Sequence, residues 1–211
     1  MKYPIPLLTL FLLGLLMSAC RAEETSPAVP VEALSNAQIA VFAGGCFWCM
    51  EPPFDRLPGV IATTSGYAGG TQADPGYKAV TAGGTGHLES VRVSYDPAIV
   101  SFDELLHVYW RNVDPVDAGG QFCDRGESYQ TAVFVLDTAQ RQAAQRSLAD
   151  ISTRFEEPIA TKILPLKAAA FYPAEDYHQD YYRKNPLRYK YYRSRCGRDA
   201  RLSTLWGNPE S

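Results

Sequence analysis

The residues of this 211-residue chain best suited to chemistry are its five cysteines. They are Cys20, Cys46, Cys49, Cys123 and Cys196. Cys20 ends a segment typical of protein export, so four thiols remain for the folded part. An even number of thiols is compatible with two structural disulfides, a metal site or a redox cycle, and the spacing must distinguish among them.

The spacing of Cys46 and Cys49 bears on two of these alternatives. A zinc site built from four cysteines normally contains two short-spaced pairs, whereas this chain has one, with bulky Phe47 and Trp48 inside it. We therefore expect no metal ligands, and a zinc-binding module is kept as the less favoured alternative. A Cys-X-X-Cys pair at a helix start after a strand also resembles the redox motif of thioredoxin-like proteins. That alternative explains only the four residues of the motif, and it stays open.

Cys46 has the best setting for a nucleophile. It follows Gly44-Gly45, which end an apolar run, and precedes residues that favour a helix. At a helix N-terminus, unpaired N–H groups and the positive end of the helix dipole lower the pKa of a thiol from about 8.5. The two glycines would also let a substrate approach the backbone closely. The sequence thus predicts a thiolate at Cys46, against the alternative of a small buried hydrophobic residue.

Glu89 is the second candidate. A strand predicted from Glu89 to Tyr95 places its carboxyl on the face shared with Val91 and Val93. Desolvation at an apolar face raises the pKa of a carboxyl, and a carboxylic acid that stays neutral can donate a proton. If the strand begins one residue later, Glu89 is solvated instead, and the pattern leaves both interpretations open. His87 is expected only to hold the preceding loop.

Strands and helices alternate around these residues. The predicted strands cover 39–43, 60–67, 89–95, 131–136 and 159–164, and the predicted helices begin at Cys46, Ser101 and Thr138, the last one extending to Phe155. Ser101 and Glu104 form a capping box. The alternation predicts an α/β (α+β) fold, a two-layer sandwich around a small mixed sheet. The tyrosine-rich segment 171–196 is expected to be irregular apart from one helix at 176–184.

The composition of the whole chain indicates one globular domain. It is 46% hydrophobic and 20% charged, with a mean hydropathy of −0.19. A net charge of −3 gives no field that would attract nucleic acid, although Lys and Arg collect near the C-terminus. We therefore expect no nucleic-acid partner, and we expect a monomer.

The N-terminal residues read as an export signal. Lys2 precedes an apolar run at 7–17 that is too short for a comfortable membrane span, and Ser18-Ala19-Cys20 then resembles a bacterial lipoprotein processing site. A plain cleaved signal or a short anchor is the alternative. The predicted boundaries are a signal peptide with lipidation at Cys20 over 1–20, a flexible tether over 21–37 and a folded domain over 38–207. The protein is thus expected in the cell envelope or periplasm, attached to a bacterial membrane only through lipid.

Several motifs between Ile39 and Gly207 resemble those of the type A peptide methionine sulfoxide reductases. In chain order they are Gly45-Cys46-Phe47-Trp48, Gly66–Gly70, Gly84–Glu89, Asp124–Tyr129 and Ala174–Gln179, followed by the tail around Cys196. One such motif would be weak evidence, but several in the correct order over this length make coincidence improbable.

This resemblance implies a fold and a reaction. The fold is a ferredoxin-like sandwich without a metal or an organic cofactor. The reaction is reduction of the S epimer of methionine sulfoxide in oxidised proteins, peptides and the free amino acid. Thiolate attack would leave a sulfenic acid, which a second thiol converts to a disulfide, and a thioredoxin-type protein would then reduce that disulfide.

The resemblance also implies residue roles by matching position. Cys46 would be the nucleophile, and Phe47 and Trp48 would form the apolar slot for the substrate methyl. The groups that would hydrogen-bond or protonate the sulfoxide oxygen, or support those that do, are Tyr67, Glu89, Tyr129 and Asp124.

Of the other cysteines, Cys196 is predicted to resolve the sulfenic acid. Many family members have glycine in place of Cys49, which lies one helical turn from Cys46, where a disulfide would strain the helix. Cys123 adjoins an aspartate, whose charge opposes thiolate formation. Cys196 lies in the basic segment 183–201, which favours a thiolate, and the polar, tyrosine-rich character of that segment favours mobility.

Overall fold

The computed structural model describes Met1 and residues 35–207. The predicted signal peptide beyond Met1, its Cys20 and most of the predicted tether lie outside the described residues. In the described part of the chain, no helix combines the length and the apolar character needed to cross a membrane.

A six-stranded sheet forms the centre of the fold. Its strands are β1 (Gln38–Gly44), β2 (Val60–Ala68), β3 (Leu88–Tyr95), β6 (Thr131–Val135), β7 (Lys162–Pro165) and β8 (Phe171–Pro173). Their spatial order is β7-β6-β1-β3-β2-β8, and β6 and β7 are parallel while all other neighbours are antiparallel. A separate two-stranded ribbon joins β4 (Gly120–Gln121) to β5 (Asp124–Arg125). The predicted mixed sheet is thus confirmed.

Seven α-helices accompany the strands within the described residues. They are α1 (Phe47–Asp55), α2 (Tyr77–Ala82), α3 (Phe102–Trp110), α4 (Thr138–Ser152), α5 (Tyr181–Lys184), α6 (Pro186–Arg195) and α7 (Arg198–Trp206). The succession β1-α1-β2-β3-α3-β6, with β6-β1-β3-β2 as neighbours, is the split βαβ arrangement of ferredoxin-like folds. The expected fold is therefore confirmed, with β7 and β8 extending the two edges.

Strand alternation divides the core into two clusters. Phe42 of β1 faces the helices, where its ring stacks on Phe54 of α1 and on Tyr109 of α3, each with centroids 5.1 Å apart. Side chains on the opposite face, Phe134 and Phe171 among them, form a smaller cluster. The helix face of the sheet therefore carries the larger core, and α1 rests directly on it.

Most helices and strands begin where the local sequence signals predict. Ser101 Oγ accepts from the Glu104 N–H at 3.2 Å while Glu104 accepts from the Ser101 N–H at 2.8 Å, so the predicted capping box is present. Strand β3 begins one residue before Glu89, so Glu89 lies on the strand. Three predicted ranges are too long: β6 ends at Val135 rather than Leu136, α4 ends at Ser152 rather than Phe155, and β7 begins at Lys162 rather than Ile159.

The expectation of an irregular C-terminal segment is wrong. Helix α6 lies within that segment and α7 follows it, and the helix predicted over 176–184 is reduced to α5. Helix α6 buries a single side chain, Tyr189. Because a helix is recognised in a sequence by apolar residues that repeat along its buried face, α6 carries no such signal. Helix α7 is anchored instead by Leu202, Trp206 and the buried Arg198.

Candidate active site

A cavity of about 70 Å³ opens beside the first turn of α1. Its lining residues are Cys46, Phe47, Trp48, Tyr77, Glu89, Asp124, Tyr129 and Tyr192. Six of these were singled out in the sequence as nucleophile, apolar slot, proton donor or its support. The sequence predicts no role for Tyr77 or Tyr192. Tyr67, to which the family resemblance assigns a bond to the sulfoxide oxygen, does not line the cavity.

Cys46 is the residue that caps the N-terminus of α1, and only 6% of it is exposed. The two glycines before it leave room for neighbouring side chains to pack against the backbone. A Cβ on Gly45, whose φ is +75°, would lie 2.5 Å from Cβ of Gln121, and a Cβ on Gly44 would lie 2.6 Å from the sulfur of Met50. The glycines thus let neighbouring side chains close around the nucleophile, rather than a substrate approach the backbone.

The electrostatic setting of Cys46 differs from the predicted one. Burial raises the pKa of its thiol well above the ordinary value, and Cys49, Glu89 and Asp124 act in the same direction. The Phe47 N–H, which opens the helix, donates to Glu89 Oε2 at 3.1 Å and is therefore not free to stabilise a thiolate. The prediction of a thiolate at Cys46 from its helix position alone is wrong for this structure.

Cys49 carries the charge of the thiol pair instead. A hydrogen bond from the Cys46 thiol, together with the guanidiniums of Arg198 and Arg193, lowers the pKa of Cys49 to about 6 against the opposing effect of burial. Because the two sulfurs share one proton, their titration belongs to the pair. At neutral pH the pair thus holds one negative charge, one hydrogen bond away from the nucleophile.

Arg198 supplies a buried cation close to this pair. The residue is 1% exposed, and its Nη2 donates to the Gly44 carbonyl at 3.1 Å and the Asn112 carbonyl at 2.6 Å. Its guanidinium carbon lies 4.4 Å from the centre of the Phe122 ring. These partners are neutral, so the positive charge is available to the Cys49 thiolate, and α7 thereby contributes to the electrostatics of the site.

Glu89 is a neutral acid at pH 7. It is 1% exposed, and burial raises the pKa of its carboxyl to about 8, although the hydrogen bond from Phe47 opposes the shift. The negative charges of Asp124 and Cys49 contribute to the same upward shift. A carboxylic acid thus faces the cavity that also contains the nucleophilic thiol.

Three phenols complete the polar lining. Burial raises the pKa of Tyr77 to about 12 and raises the pKa values of Tyr129 and Tyr192 as well. All three hydroxyls therefore keep their protons and can donate hydrogen bonds. The Tyr192 hydroxyl donates to Asp124 Oδ2, so Asp124 positions a phenol of the C-terminal segment beside Cys46.

The role implied for Tyr67 is corrected by the structure. Its side chain is fully buried, and its hydroxyl donates to Glu175 Oε2 at 2.9 Å. A hydroxyl committed to that carboxylate and outside the cavity is not placed to bind the sulfoxide oxygen, and Tyr77 occupies the available position. No local pattern distinguishes Tyr77, which lies on a six-residue helix inside a glycine-rich stretch, or Tyr192, one of many tyrosines in the tail.

The tail orients Trp48. The indole N–H donates to His178 Nδ1 at 3.1 Å, and the indole ring stacks on Tyr181 with centroids 3.7 Å apart. Burial lowers the pKa of His178, which keeps the imidazole neutral and able to accept this bond. His87 holds its own loop as predicted, through the Gly70 N–H and the Gln72 carbonyl.

The remaining cysteines are paired with each other. Cys123 and Cys196 form a disulfide, with their Cα atoms 4.9 Å apart, so in this state Cys196 has no free thiol with which to attack a sulfenic acid. Cys123, Asp124 and Cys196 are close enough together to bind a metal ion, but sulfurs bonded to each other offer no thiolate ligand. Cys46 and Cys49 are the free cysteines of the described residues.

A buried thiol pair beside a neutral acid defines the site of a thiol-dependent oxidoreductase. Comparison with known proteins specifies the family. A sequence profile of the peptide methionine sulfoxide reductases matches residues 38–210, and the chain belongs to that family. The chain is 49% identical over 172 residues to the peptide methionine sulfoxide reductase MsrA of Bacillus licheniformis, which covers 81% of this chain and 94% of the relative.

Solved structures agree with this assignment. Methionine sulfoxide reductase A of Corynebacterium diphtheriae superposes with a TM-score of 0.65 and 36% identity, over 72% of this chain and 76% of the other. Mxr1 from Saccharomyces cerevisiae in its reduced form has a TM-score of 0.68 and 30% identity, over 72% of this chain and 88% of the other. A further crystal structure contains Mxr1 in complex with Trx2.

Proposed function

We propose that this protein reduces the S epimer of methionine sulfoxide, in oxidised proteins, in peptides and as the free amino acid. The observation that carries the proposal is a small cavity in which the Cys46 thiol faces the neutral carboxylic acid of Glu89. The thioredoxin-like alternative accounts for the Cys46–Cys49 pair but not for a cavity that also presents Glu89, Tyr77 and Tyr129. Sulfoxide reduction requires a proton donor, because the oxygen must be protonated or strongly hydrogen-bonded before the sulfur accepts a nucleophile.

The first step joins the two groups. The Cys46 proton passes along the existing hydrogen bond to the Cys49 thiolate, and the Cys46 thiolate attacks the sulfoxide sulfur while Glu89 protonates the oxygen. The hydroxyl then moves from the substrate sulfur to the Cys46 sulfur. The substrate sulfur–oxygen bond and the transient sulfur–sulfur bond break as the new sulfur–oxygen bond forms, so methionine leaves and Cys46 becomes a sulfenic acid. Tyr77 and Tyr129 donate hydrogen bonds to the oxygen, and Phe47 and Trp48 hold the methyl group.

The second step falls to Cys49 in this proposal. Its thiol is already hydrogen-bonded to Cys46, whereas the sulfur of Cys196 is bonded to Cys123. Helix strain does not prevent the reaction, because Cys46 lies at the cap with a ψ of 117°, outside the helical region. The Cys49 thiol condenses with the sulfenic acid, forming a disulfide and releasing water.

An external dithiol completes the cycle by reducing that disulfide to two thiols. We assign this role to a thioredoxin-type protein, and the complex of the related Mxr1 with Trx2 supports the choice. Cys123, which is exposed, and Cys196 lie next to the cavity residue Asp124. The disulfide between them must be opened first if either cysteine takes part in recycling.

The experiment that tests the function is reduction of resolved sulfoxide epimers with dithiothreitol. The protein should convert methionine-(S)-sulfoxide to methionine and leave the R epimer unchanged, and Cys46→Ser should be inactive. Reduction of insulin disulfides without sulfoxide turnover would indicate the thioredoxin-like alternative. Stoichiometric zinc binding without either activity would indicate the metal-binding one.

The location of the protein is a separate part of the proposal. The apolar run before Cys20 supports export, lipidation of Cys20 and attachment of a monomeric domain at 38–207 through the tether at 21–37. Mass spectrometry of the native N-terminus should find a lipidated Cys20. An unmodified N-terminus beyond that residue would exclude the lipid anchor and leave export intact.

A further inference from the structure

Exposed apolar side chains gather around the mouth of the active site. Among the described residues, five large hydrophobic side chains are exposed: Met1, Ile99, Tyr177, Leu187 and Tyr191. Three of them belong to the short stretch 177–191, which supplies residues around Trp48. Single exposed hydrophobic residues are ordinary, but a group at one place indicates a binding surface.

Two of these side chains belong to a groove that continues the catalytic cavity. The groove has a volume of about 500 Å³ and is lined by Trp48, Tyr181, Leu187, Arg188, Tyr191 and Tyr192. Trp48 and Tyr192 line the catalytic cavity as well. We call this feature the aromatic groove, and one wall of the active site is therefore also one wall of the groove.

Both sides of the groove are held in place. On one side, the bond to His178 and the stacking on Tyr181 orient the Trp48 indole. On the other, Leu187 and Tyr191 are four residues apart on α6 and so project from the same face of the helix. Leu187 is 82% exposed and Tyr191 is 70% exposed, although both lie within reach of buried aromatic rings.

The size of the catalytic cavity determines what must lie in the groove. A volume of about 70 Å³ leaves room for only a few heavy atoms, enough for the sulfoxide end of a methionine side chain. The backbone and the neighbouring residues of a polypeptide substrate must therefore remain at the rim. On the side of Trp48 and Tyr192, the rim is the aromatic groove.

We propose that the aromatic groove is a subsite for polypeptide substrates and binds an apolar or aromatic side chain adjacent to the oxidised methionine. Burial of that side chain against Leu187 and Tyr191 removes apolar surface from water on both partners. The subsite rests on the proposed function, because it recognises the same substrate outside the reacting group. It makes the enzyme prefer oxidised methionines that have apolar neighbours in the sequence.

The test compares three substrates with dithiothreitol as the reductant. They are free methionine-(S)-sulfoxide and two hexapeptides with one such residue, flanked by phenylalanine in one peptide and by serine in the other. The variant is the double substitution Leu187→Gln and Tyr191→Gln, which keeps good helix formers on α6 and touches no residue of the catalytic cavity. Lys190→Gln, on the same helix and outside the groove, is the matched control.

The wild type and Lys190→Gln should reduce the phenylalanine-flanked peptide with a kcat/KM about five- to tenfold above that of the serine-flanked peptide. The double variant should lose this preference while its turnover of the free amino acid is unchanged. Equal rates for the two peptides in the wild type, or an undiminished preference in the double variant, would overturn the subsite. The assay is then repeated with thioredoxin as the reductant. A loss of turnover in the double variant that is seen only with thioredoxin would also overturn the subsite, since the groove would then bind the reductant. No turnover of any substrate by the wild type would refute the proposed function itself, and the subsite with it.

Discussion

Replacing Glu89 with glutamine should lower activity and raise stability in the same protein. Glutamine has the shape of glutamate, and its carbonyl oxygen can still accept the bond from the Phe47 N–H. It cannot transfer a proton to the sulfoxide oxygen. General acid catalysis contributes about 10²- to 10⁴-fold, so kcat/KM at pH 7 should fall at least about 100-fold.

The stability change follows from the pKa of Glu89. The pKa of this carboxyl is 4.5 when unperturbed and about 8 when folded, so between these values the unfolded chain loses the proton and the folded chain keeps it. Folding is therefore penalised increasingly as pH rises from 4.5 to 8, at 1.36 kcal/mol per unit. Glutamine has no such penalty, so the free energy of unfolding of the variant relative to the wild type should rise by about 3 kcal/mol between pH 4.5 and pH 7.

Two assays check these expectations. Initial rates with methionine-(S)-sulfoxide and dithiothreitol, measured from pH 5 to pH 9.5, should give a bell for the wild type. Activity should rise as the Cys46–Cys49 pair ionises, because the pKa of Cys49 is about 6, and fall as Glu89 loses its proton near its pKa of about 8. The variant should lack the falling limb at that pH. Urea unfolding at pH 4.5 and pH 7 gives the stability difference.

Exposed Glu156 provides the control, since Glu156→Gln alters neither the cavity nor a buried carboxyl. The proposed role of Glu89 would be refuted if Glu89→Gln kept a rate within about threefold of the wild type at pH 7, far from the loss expected of a missing acid. A stability difference that did not change with pH would show that the carboxyl is not held neutral.

Three further predictions concern the other groups of the site. Tyr77→Phe should lower kcat by about tenfold because a hydrogen-bond donor to the sulfoxide oxygen is lost. Tyr67→Phe should leave kcat unchanged and lower the free energy of unfolding by about 1 kcal/mol, and equal losses of kcat in the two variants would contradict this placement. With thioredoxin as the reductant, Cys49→Ser should release about one methionine per active site and then stop, whereas Cys196→Ser should continue to turn over. The reverse result would return the resolving role to Cys196. Arg198→Met should move the midpoint pH of iodoacetamide alkylation of the free thiols upward by about one unit, and Arg198→Lys by less; an unchanged midpoint in Arg198→Met would show that its charge does not act on the thiol pair.

Local sequence was sufficient to predict the elements on which the catalytic groups lie. The apolar run ending in two glycines identified β1 and the start of α1, and with them Cys46 at the helix cap. Alternation along β3 predicts that Glu89 shares the buried face with Val91 and Val93. The start of the strand at Leu88 in the structure places Glu89 within it. The capping box at Ser101 located α3 to the residue. These features depend on neighbours within one or two turns, so they are visible in the sequence.

Protonation states were not predictable in the same way. A helix N-terminus by itself favours a thiolate at Cys46, but the fold buries that sulfur and directs the first N–H of the helix to a carboxyl 42 residues away in the sequence. The same fold brings Arg198 close enough to lower the pKa of Cys49. The location of the charge in the pair is thus the outcome of groups that only tertiary contacts bring together.

The sequence by itself determined the family motifs, the alternation of strands and helices, the nucleophile and the candidate acid, because each depends on residue type, spacing and periodicity. Only the tertiary structure decided that Tyr77 rather than Tyr67 lines the cavity, that Cys196 is bonded to Cys123, and that the tail forms helices around Trp48. In each of these cases the deciding contact joins residues far apart in the chain. Neither the direction of a side chain across such a distance nor the pairing of thiols is encoded in a local pattern, because both depend on which surfaces the fold brings into contact.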